Sequence, residues 1–113
     1  MRYPLALVFF LWGTLLLAAT PLKQAHAHND YEHVRPLLDA LDQGFCSVEA
    51  DIFLTSKGLM IGHTLLDLKS DRTLEKLYLE SLRDRVKANG GKVYRDGPPF
   101  YLLIDVKTDA KKT

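Results

Sequence analysis

Short apolar runs alternate with amphipathic segments along the chain after residue 19. Apolar runs of about four to eight residues, bounded by Gly, Pro or polar turn residues, are typical of β-strands. Such runs occur at residues 22–28, 47–54, 59–62 and 100–106, and Lys57-Gly58 predicts a turn between the second and the third. The last is almost continuously apolar, which predicts a strand buried on both faces of a parallel sheet.

Two further segments have the apolar periodicity of amphipathic helices. Residues 35–43 place leucines on one face, with Pro36 in the first turn and Gly44 just past the end, as is typical of helix boundaries. Residues 73–89 predict two short helical pieces that end at Gly90. Their inward-facing candidates are Leu74, Leu77, Leu82 and Val86.

The alternation of strands and helices predicts an α/β fold that begins a TIM-type (β/α) barrel. A complete barrel of eight units takes about 250 residues. The 113 residues of this chain would therefore supply about three of the eight units. A smaller open α/β sheet is the structural alternative.

The first 19 residues predict a signal peptide rather than a part of the fold. A single basic residue, Arg2, precedes an uncharged apolar run at residues 5–19. This run is shorter than the roughly 20 residues of a membrane span and suits the apolar region of a secretion signal. We therefore expect a domain at residues 20–113 in an exported protein, periplasmic or extracellular, with an uncleaved membrane anchor as the alternative.

Charge and cysteine content narrow the function classes. Of the 15 basic residues, all except Arg2 lie after the predicted leader, and the same part of the chain contains 14 acidic residues. A net charge near zero without a basic patch argues against binding of nucleic acid. The single cysteine, Cys46, has no internal partner for a disulfide and is expected to be a buried thiol.

Two carboxylates in the second strand are candidate metal ligands. Glu49 and Asp51 are two residues apart, so both side chains point to the same face of a strand. Carboxylates on one face repel each other unless a cation lies between them. Calcium and magnesium prefer such oxygen ligands. Solvated acids at a strand end are the plainer interpretation.

A third carboxylate, Asp105, follows the apolar stretch 101–104 in the last strand. A carboxylate in such surroundings needs a partner. Lys107 points the same way two residues later. The two residues can form a simple ion pair. Alternatively, Asp105 is a third metal ligand and Lys107 is a fixed positive charge for a phosphate group.

Two histidines are candidates for proton transfer. His28 ends the first strand, and His63 follows Gly62, where the missing side chain lets a substrate approach closely. Histidine can act as general acid or general base at neutral pH. Cleavage of a phosphodiester needs one group that takes a proton and another that gives one. For either residue alone, an ordinary surface or core histidine is the alternative.

Four short motifs carry a resemblance to a known family: H-N-D-Y at 28–31, V-E-A-D at 48–51, G-H at 62–63 and I-D-V-K at 104–107. In order and spacing they resemble the phosphatidylinositol-phospholipase-C-like phosphodiesterase superfamily, which includes glycerophosphodiester phosphodiesterases and sphingomyelinase D enzymes. Within it, the chain resembles the bacterial and fungal proteins similar to altered inheritance of mitochondria protein 6. The resemblance covers about residues 21–109.

The resemblance implies a metal-dependent phosphoric diester hydrolase with a TIM-type barrel. The implied substrate is a small-molecule or lipid phosphodiester, either glycerophosphodiester- or phospholipid-like, with contact to a membrane surface through a lipid substrate. The implied ion is Ca²⁺ or Mg²⁺, and its ligands are Glu49, Asp51 and Asp105. The implied catalytic residues are His28, His63 and Lys107.

The chain also departs from the superfamily. Glycerophosphodiester phosphodiesterases usually carry His-Arg-Gly where this chain has His28-Asn29-Asp30, and their downstream Glu-Asn pair is absent. Their second His is often followed by Asp, whereas Thr64 follows here. The later barrel strands are missing. We therefore expect the N-terminal portion of such an enzyme, inactive by itself.

Two other functions stay open at the level of sequence. His26 and His28 form an H-x-H motif at the end of the first strand. This motif opens the metal site of amidohydrolase-like and histidinol-phosphatase-like barrels, in which paired histidines bind zinc or iron. A non-enzymatic remnant or interaction module is the other alternative.

Overall fold

The computed structural model describes residues 18–113, and in this part of the chain four strands form one sheet. They are β1 (Leu22–Ala27), β2 (Phe45–Thr55), β3 (Gly58–Ile61) and β4 (Tyr101–Val106). The long strand β2 is central, with β1 and β4 parallel to it on opposite edges. This confirms the α/β fold with a parallel sheet. The barrel remains a prediction.

Strand β3 returns antiparallel to the second half of β2. The two turn residues are Ser56 and Lys57, and Gly58 begins β3, so the turn lies one residue before the predicted Lys57-Gly58 position. Ile52 pairs with Val106 of β4 and with Ile61 of β3. Since a strand has only two edges, β3 must lie on the edge of β2 that β1 occupies further back. The hairpin therefore returns the chain to the carboxyl ends of β1 and β2.

The first predicted helix is shorter than expected. It is observed as α1 (Leu38–Asp42), whereas the sequence predicts residues 35–43. The buried Asp30 carboxylate accepts the backbone N–H of Leu37 at 2.6 Å. Leu37 has a φ of +64°, outside the helical region, so the α-helix begins only after it.

The second helical region is continuous, whereas the sequence predicts two pieces. A wide π-helical turn at Glu75–Leu79 leads directly into α2 (Glu80–Ala88). Of the predicted inward residues, Leu74 is buried, and Leu77 and Leu82 are partly buried against the core. The deepest residue of the region is Tyr78, which the leucine pattern does not predict.

The core lies on the face of β2 that carries the even-numbered residues. Cys46, Val48, Ala50 and Ile52 are buried there. Leu37 and Leu41 from the first helical region pack in the same cluster, together with Tyr78 and Tyr94. The odd-numbered residues, among them Glu49 and Asp51, point to the other face of the sheet. The sheet therefore has one face for packing and one for the candidate chemistry.

Strand β4 is not buried on both faces, contrary to its apolar sequence. Its three exposed apolar side chains are Tyr101, Leu103 and Ile104. The reason is topological: β4 pairs with β2 along one edge, and no strand within residues 18–113 pairs with its other edge.

Candidate functional site

Three carboxylates meet at the carboxyl end of the parallel strands. Asp51 of β2 lies directly opposite Asp105 of β4, and Glu49 precedes Asp51 by two residues on the same face. One oxygen from each of Glu49, Asp51 and Asp105 lies within 4.8 Å of the others. Residue spacing predicts the shared face of Glu49 and Asp51, and the resemblance implies Asp105 as the third ligand. The parallel pairing of β2 and β4 brings the three together.

Asp51 is the centre of this group and is only 1% exposed. Its Oδ2 atom accepts the Tyr31 hydroxyl at 2.8 Å and lies 3.1 Å from the Lys107 ammonium. Its Oδ1 atom is buried and has no hydrogen-bond partner among residues 18–113. A buried carboxylate oxygen with no partner is energetically costly, so this atom has the surroundings of a ligand for a cation.

Glu49 connects the carboxylates to the end of β1. Its Oε2 atom accepts the backbone N–H of Asn29 at 3.1 Å and lies 3.3 Å from Nε2 of His28. The parallel pairing of Ala27 with Val48 positions His28 beside Glu49. The His28 ring is largely exposed, so it borders the carboxylate group and is open to solvent on its other side.

Asp105 and Lys107 form an ion pair at the end of β4. The Lys107 ammonium lies 2.5 Å from Oδ2 of Asp105 and also contacts Asp51. The hydrogen bond to Asp105 is the main cause that raises the pKa of Lys107 above its ordinary value, and the hydrogen bond to Asp51 adds to it. The side chain therefore stays cationic. The Asp105 side chain is 48% exposed, which places it at the strand end and not deep within the strand.

His63 reaches the same group from the β2–β3 hairpin. Just after β3, Gly62 donates its backbone N–H to the Asp51 carbonyl at 3.3 Å. Nδ1 of His63 then lies 3.3 Å from Oδ2 of Asp51, and the side chain is 56% exposed. His28 and His63 therefore flank the carboxylate group, one beside Glu49 and the other beside Asp51.

Among residues 18–113, His26 and His28 of the H-x-H motif do not join other candidate ligands in a metal-binding cluster. Nδ1 of His26 lies 2.8 Å from the Ser47 hydroxyl in an exposed position. Among residues 18–113, the one group of three or more candidate ligands within 4.8 Å is the carboxylate group. His28, which contacts Glu49, borders that group and is not a member of it.

Tyr31 is a residue of the site that sequence reasoning did not single out. Its buried hydroxyl contacts three of the surrounding polar side chains, Asn29, Asp51 and His63. Burial, together with the hydrogen bond to Asp51, raises the pKa of Tyr31 well above its ordinary value, so the hydroxyl keeps its proton. The available signal was its place in the H-N-D-Y motif.

Comparison with known proteins shows which family the chain belongs to. The family model described as the AIM6-like phosphodiesterase domain matches residues 16–113. The chain belongs to this family. Membership confirms the resemblance to proteins similar to altered inheritance of mitochondria protein 6. No solved structure matches the chain.

Several curated relatives of the AIM6-like family are fungal. The altered inheritance of mitochondria protein 6 homolog of Arthroderma benhamiae is 36% identical over 106 residues, which cover 77% of this chain and 34% of the relative. The Eremothecium gossypii protein of that name is 37% identical over 86 residues, covering 74% and 22%. The Saccharomyces cerevisiae protein is 33% identical, covering 74% and 25%. The chain thus spans about a fifth to a third of these relatives.

The prediction of an exported protein is wrong. The relatives are named for altered inheritance of mitochondria, which does not refer to the periplasm or the extracellular space. Most of the predicted signal peptide, residues 1–17, lies outside the described residues. Within residues 18–113, no helix has the length and apolar character to cross a membrane.

Proposed function

We propose that this chain carries the cation-binding and proton-transfer residues of a metal-dependent phosphoric diester hydrolase. The observation that carries the proposal is the convergence of three carboxylates, one with a buried partnerless oxygen, between two histidines. Membership of an AIM6-like phosphodiesterase family supports this reaction class. The substrate we propose is a glycerophosphodiester- or phospholipid-like molecule.

The donor set fits Ca²⁺ or Mg²⁺ because all three candidate ligands, Glu49, Asp51 and Asp105, are carboxylates. The partnerless Oδ1 of Asp51 supports the fit, since a bound cation would satisfy it. Three carboxylates beside the Lys107 ammonium leave two negative charges, which one divalent ion would balance. When bound, such an ion offsets the charge of the phosphate oxygens during hydrolysis.

The two histidines supply the proton transfers in this proposal. One takes a proton from the nucleophile, either water or a neighbouring hydroxyl of the substrate, and the other gives a proton to the leaving oxygen. Their places support this division because His28 lies beside Glu49 and His63 lies beside Asp51. The reacting phosphate would then lie between them.

Lys107 would stabilise the negative charge that develops on the phosphate. Its ammonium is held by Asp105 and Asp51, so the positive charge is oriented before the substrate arrives. A positioned charge of this kind lowers the free energy of the transition state without reorganisation. An open cavity of about 630 Å³ beside His63, lined by two basic and two acidic side chains besides its histidines, offers room for the substrate.

We also propose that the sheet is part of a TIM-type barrel. Three parallel strands carry polar residues at their carboxyl ends, which is where barrel enzymes place their active sites. The unpaired edge of β4 is where a next strand would join. On this view the activity belongs to a longer protein, of which these residues supply the N-terminal units.

The test is hydrolysis by a full-length family member that carries the four motifs. A panel of glycerophosphodiesters and lysophospholipids is incubated with the protein, and ³¹P NMR follows the loss of the diester and the appearance of a monoester or a cyclic phosphate. We expect turnover that a chelator abolishes and that Mg²⁺ or Ca²⁺ restores. Turnover that is unaffected by chelation, or no turnover of any diester with metal present, would contradict the proposal.

A pair of variants separates the site from general charge effects. In the full-length family member, the change that corresponds to Asp51→Asn removes the central carboxylate at nearly constant shape, and we expect it to abolish turnover. The change that corresponds to Asp84→Asn removes an exposed carboxylate on α2 that pairs with Arg83, and it should retain turnover.

A further inference from the structure

The Tyr31 hydroxyl lies at the meeting point of three polar side chains. It is 2.8 Å from Oδ2 of Asp51, 3.1 Å from Nδ1 of His63 and 2.9 Å from the side-chain oxygen of Asn29. The residue is 4% exposed, so water cannot replace these contacts freely. The positions of the protons in this group are therefore set by the side chains themselves.

The hydrogen-bonding capacities allow one consistent arrangement around Nδ1 of His63. An ionised Asp51 can only accept, and the Tyr31 hydroxyl has a single proton to donate. A charged acceptor makes the stronger bond, so the hydroxyl donates to Asp51. Nδ1 of His63 then faces two acceptor oxygens, since it lies 3.1 Å from Tyr31 and 3.3 Å from Asp51.

A proton on Nδ1 of His63 can be donated to these two oxygens. An unprotonated Nδ1 is itself an acceptor and would face both oxygens with no hydrogen to share. Rotation of the Asn29 amide by half a turn presents its N–H₂ group to the same hydroxyl and completes the set. With the proton on Nδ1, the neutral ring carries none on Nε2. Nε2 lies on the far side of the ring from Asp51, and the His63 side chain is more than half exposed.

We propose that Tyr31 is a positioning residue that holds His63 with its proton on Nδ1 and presents a bare Nε2 to the substrate. The inference rests on the proposed function, and it assigns His63 the role of general base. The nucleophile loses its proton to Nε2 as its oxygen bonds to phosphorus. The bond from phosphorus to the leaving oxygen breaks, and His28 supplies the proton to that oxygen.

The backbone around Tyr31 is held independently of its hydroxyl. The Arg72 guanidinium donates to the Tyr31 carbonyl oxygen. The preceding residue, Asp30, accepts the Tyr78 hydroxyl at 2.8 Å and the Leu37 backbone N–H at 2.6 Å. Tyr31→Phe therefore removes the hydroxyl while these contacts keep the ring in place.

The test is the tautomer of His63 in the 113-residue chain, labelled with ¹⁵N at histidine. Long-range ¹H–¹⁵N spectra, recorded where the rings are neutral, separate the two tautomers by their nitrogen shifts. The chain has four histidines, and His63→Gln identifies the resonance in question. We expect the Nδ1–H form to predominate in the wild type, the opposite of the preference of free histidine.

We expect Tyr31→Phe to move the His63 population towards the Nε2–H form. Tyr94→Phe is the matched control, because it also removes a buried hydroxyl but lies away from the site. It should leave the His63 spectrum unchanged. An Nε2–H form in the wild type overturns the inference even if Tyr31→Phe fails to fold, and an unchanged spectrum in Tyr31→Phe also overturns it.

Kinetics of a full-length family member separate this inference from the proposed function. The change that corresponds to Tyr31→Phe should lower kcat by roughly tenfold to a hundredfold with little change in KM, since it removes orientation and not substrate contacts. An Nδ1–H tautomer in a family that hydrolyses no diester would overturn the proposed function and leave the positioning role of Tyr31 in place.

Discussion

At the residue scale, Asp51 is the side chain through which the other site residues are connected. It lies opposite Asp105 and contacts Tyr31, His63 and Lys107. Burial makes each of these contacts stronger than it would be in water. Changes at Asp51 are therefore expected to disturb every part of the site, whereas changes at the histidines should be more selective.

The histidines can be tested separately from the cation. In a full-length family member, changes that correspond to His28→Ala and His63→Ala should each lower turnover by about 10²–10⁴-fold, because each removes one proton-transfer group. Metal affinity, measured by calorimetry, should survive both, since neither histidine is proposed as a ligand. The change that corresponds to His26→Ala alters an exposed histidine that bonds Ser47 and not the carboxylates, and it should have little effect. Loss of metal on changing His28 would contradict these roles.

A second residue-scale prediction concerns pH and Tyr94. Burial raises the pKa of Tyr94 from 10.0 to about 12. The folded state thus holds the phenol proton more tightly than the unfolded state. The stability this supplies is complete below pH 10 and is lost as pH rises to about 12.

Tyr94→Phe has no phenol to titrate, so it lacks this pH dependence and can be compared directly with the wild type. Between these pH values we expect the free energy of unfolding to fall less steeply in the variant, by about 1 kcal/mol per pH unit. Urea unfolding at a series of pH values measures the slopes. Parallel slopes for the two proteins would show that the Tyr94 hydroxyl is not buried as described. The lost hydrogen bond to the Phe45 carbonyl should also cost about 1 kcal/mol at neutral pH.

At the element scale, the start of β1 depends on a glycine. Gly44 has a φ of +84°, and a Cβ there would lie 2.2 Å from the Thr20 carbonyl oxygen. Its own carbonyl accepts the Leu22 backbone N–H at 2.7 Å, the bond that aligns β1 with β2. The register then shifts between Leu22 and His26, and the later pairing of Ala27 with Val48 brings the end of β1 to Glu49.

Gly44→Ala should therefore destabilise the fold, and Gly58→Ala is the matched control. Gly58 also has a positive φ, but a Cβ there meets nothing within 4 Å. The control should cost about 1–2 kcal/mol from backbone strain alone, and Gly44→Ala should cost more because of the added clash. Equal losses in urea unfolding would mean that the close approach of Thr20 does not constrain the strand.

The sequence was informative about elements where local patterns decide them. Turn residues at 57–58 predicted the hairpin, and the spacing of Glu49 and Asp51 predicted their shared face. The helix at 35–43 was overestimated because a tertiary contact, the Leu37 N–H donating to the Asp30 carboxylate, holds Leu37 outside the helix and delays its start to Leu38. Periodicity cannot register such a contact.

The candidate site was also predictable where local sequence patterns decide the position of a residue, and not where contacts across the fold decide it. Glu49, Asp51 and Asp105 follow strand patterns, so their convergence could be expected from parallel pairing. Tyr31 could not, because its importance lies in three contacts made across the fold. Tyr78 and Tyr94 were missed as core residues because tyrosine carries a hydroxyl that needs a partner, which only the structure supplies.

At the scale of the whole molecule, one edge of β4 pairs with no strand among residues 18–113, and exposed Leu103 and Ile104 lie beside it. Exposed strand edges pair with other chains. We therefore expect the 113-residue chain to self-associate as its concentration rises, as sedimentation would show. Ile104→Lys places a charge on β4, away from the site face, and should reduce self-association. A wild type that stays monomeric as its concentration rises would contradict this expectation.

The divalent-cation site is tested most directly by calorimetric titration of the chain with Ca²⁺ and with Mg²⁺, at a concentration where it is monomeric. We predict one ion bound per chain, with affinity reduced at least about tenfold by Asp51→Asn, since removal even of groups that only support a ligand costs that much. Asp84→Asn, which changes an exposed carboxylate away from the site, should bind as the wild type does. Absence of binding to the wild type, or equal affinity in Asp51→Asn, would show that the three carboxylates do not form a cation site.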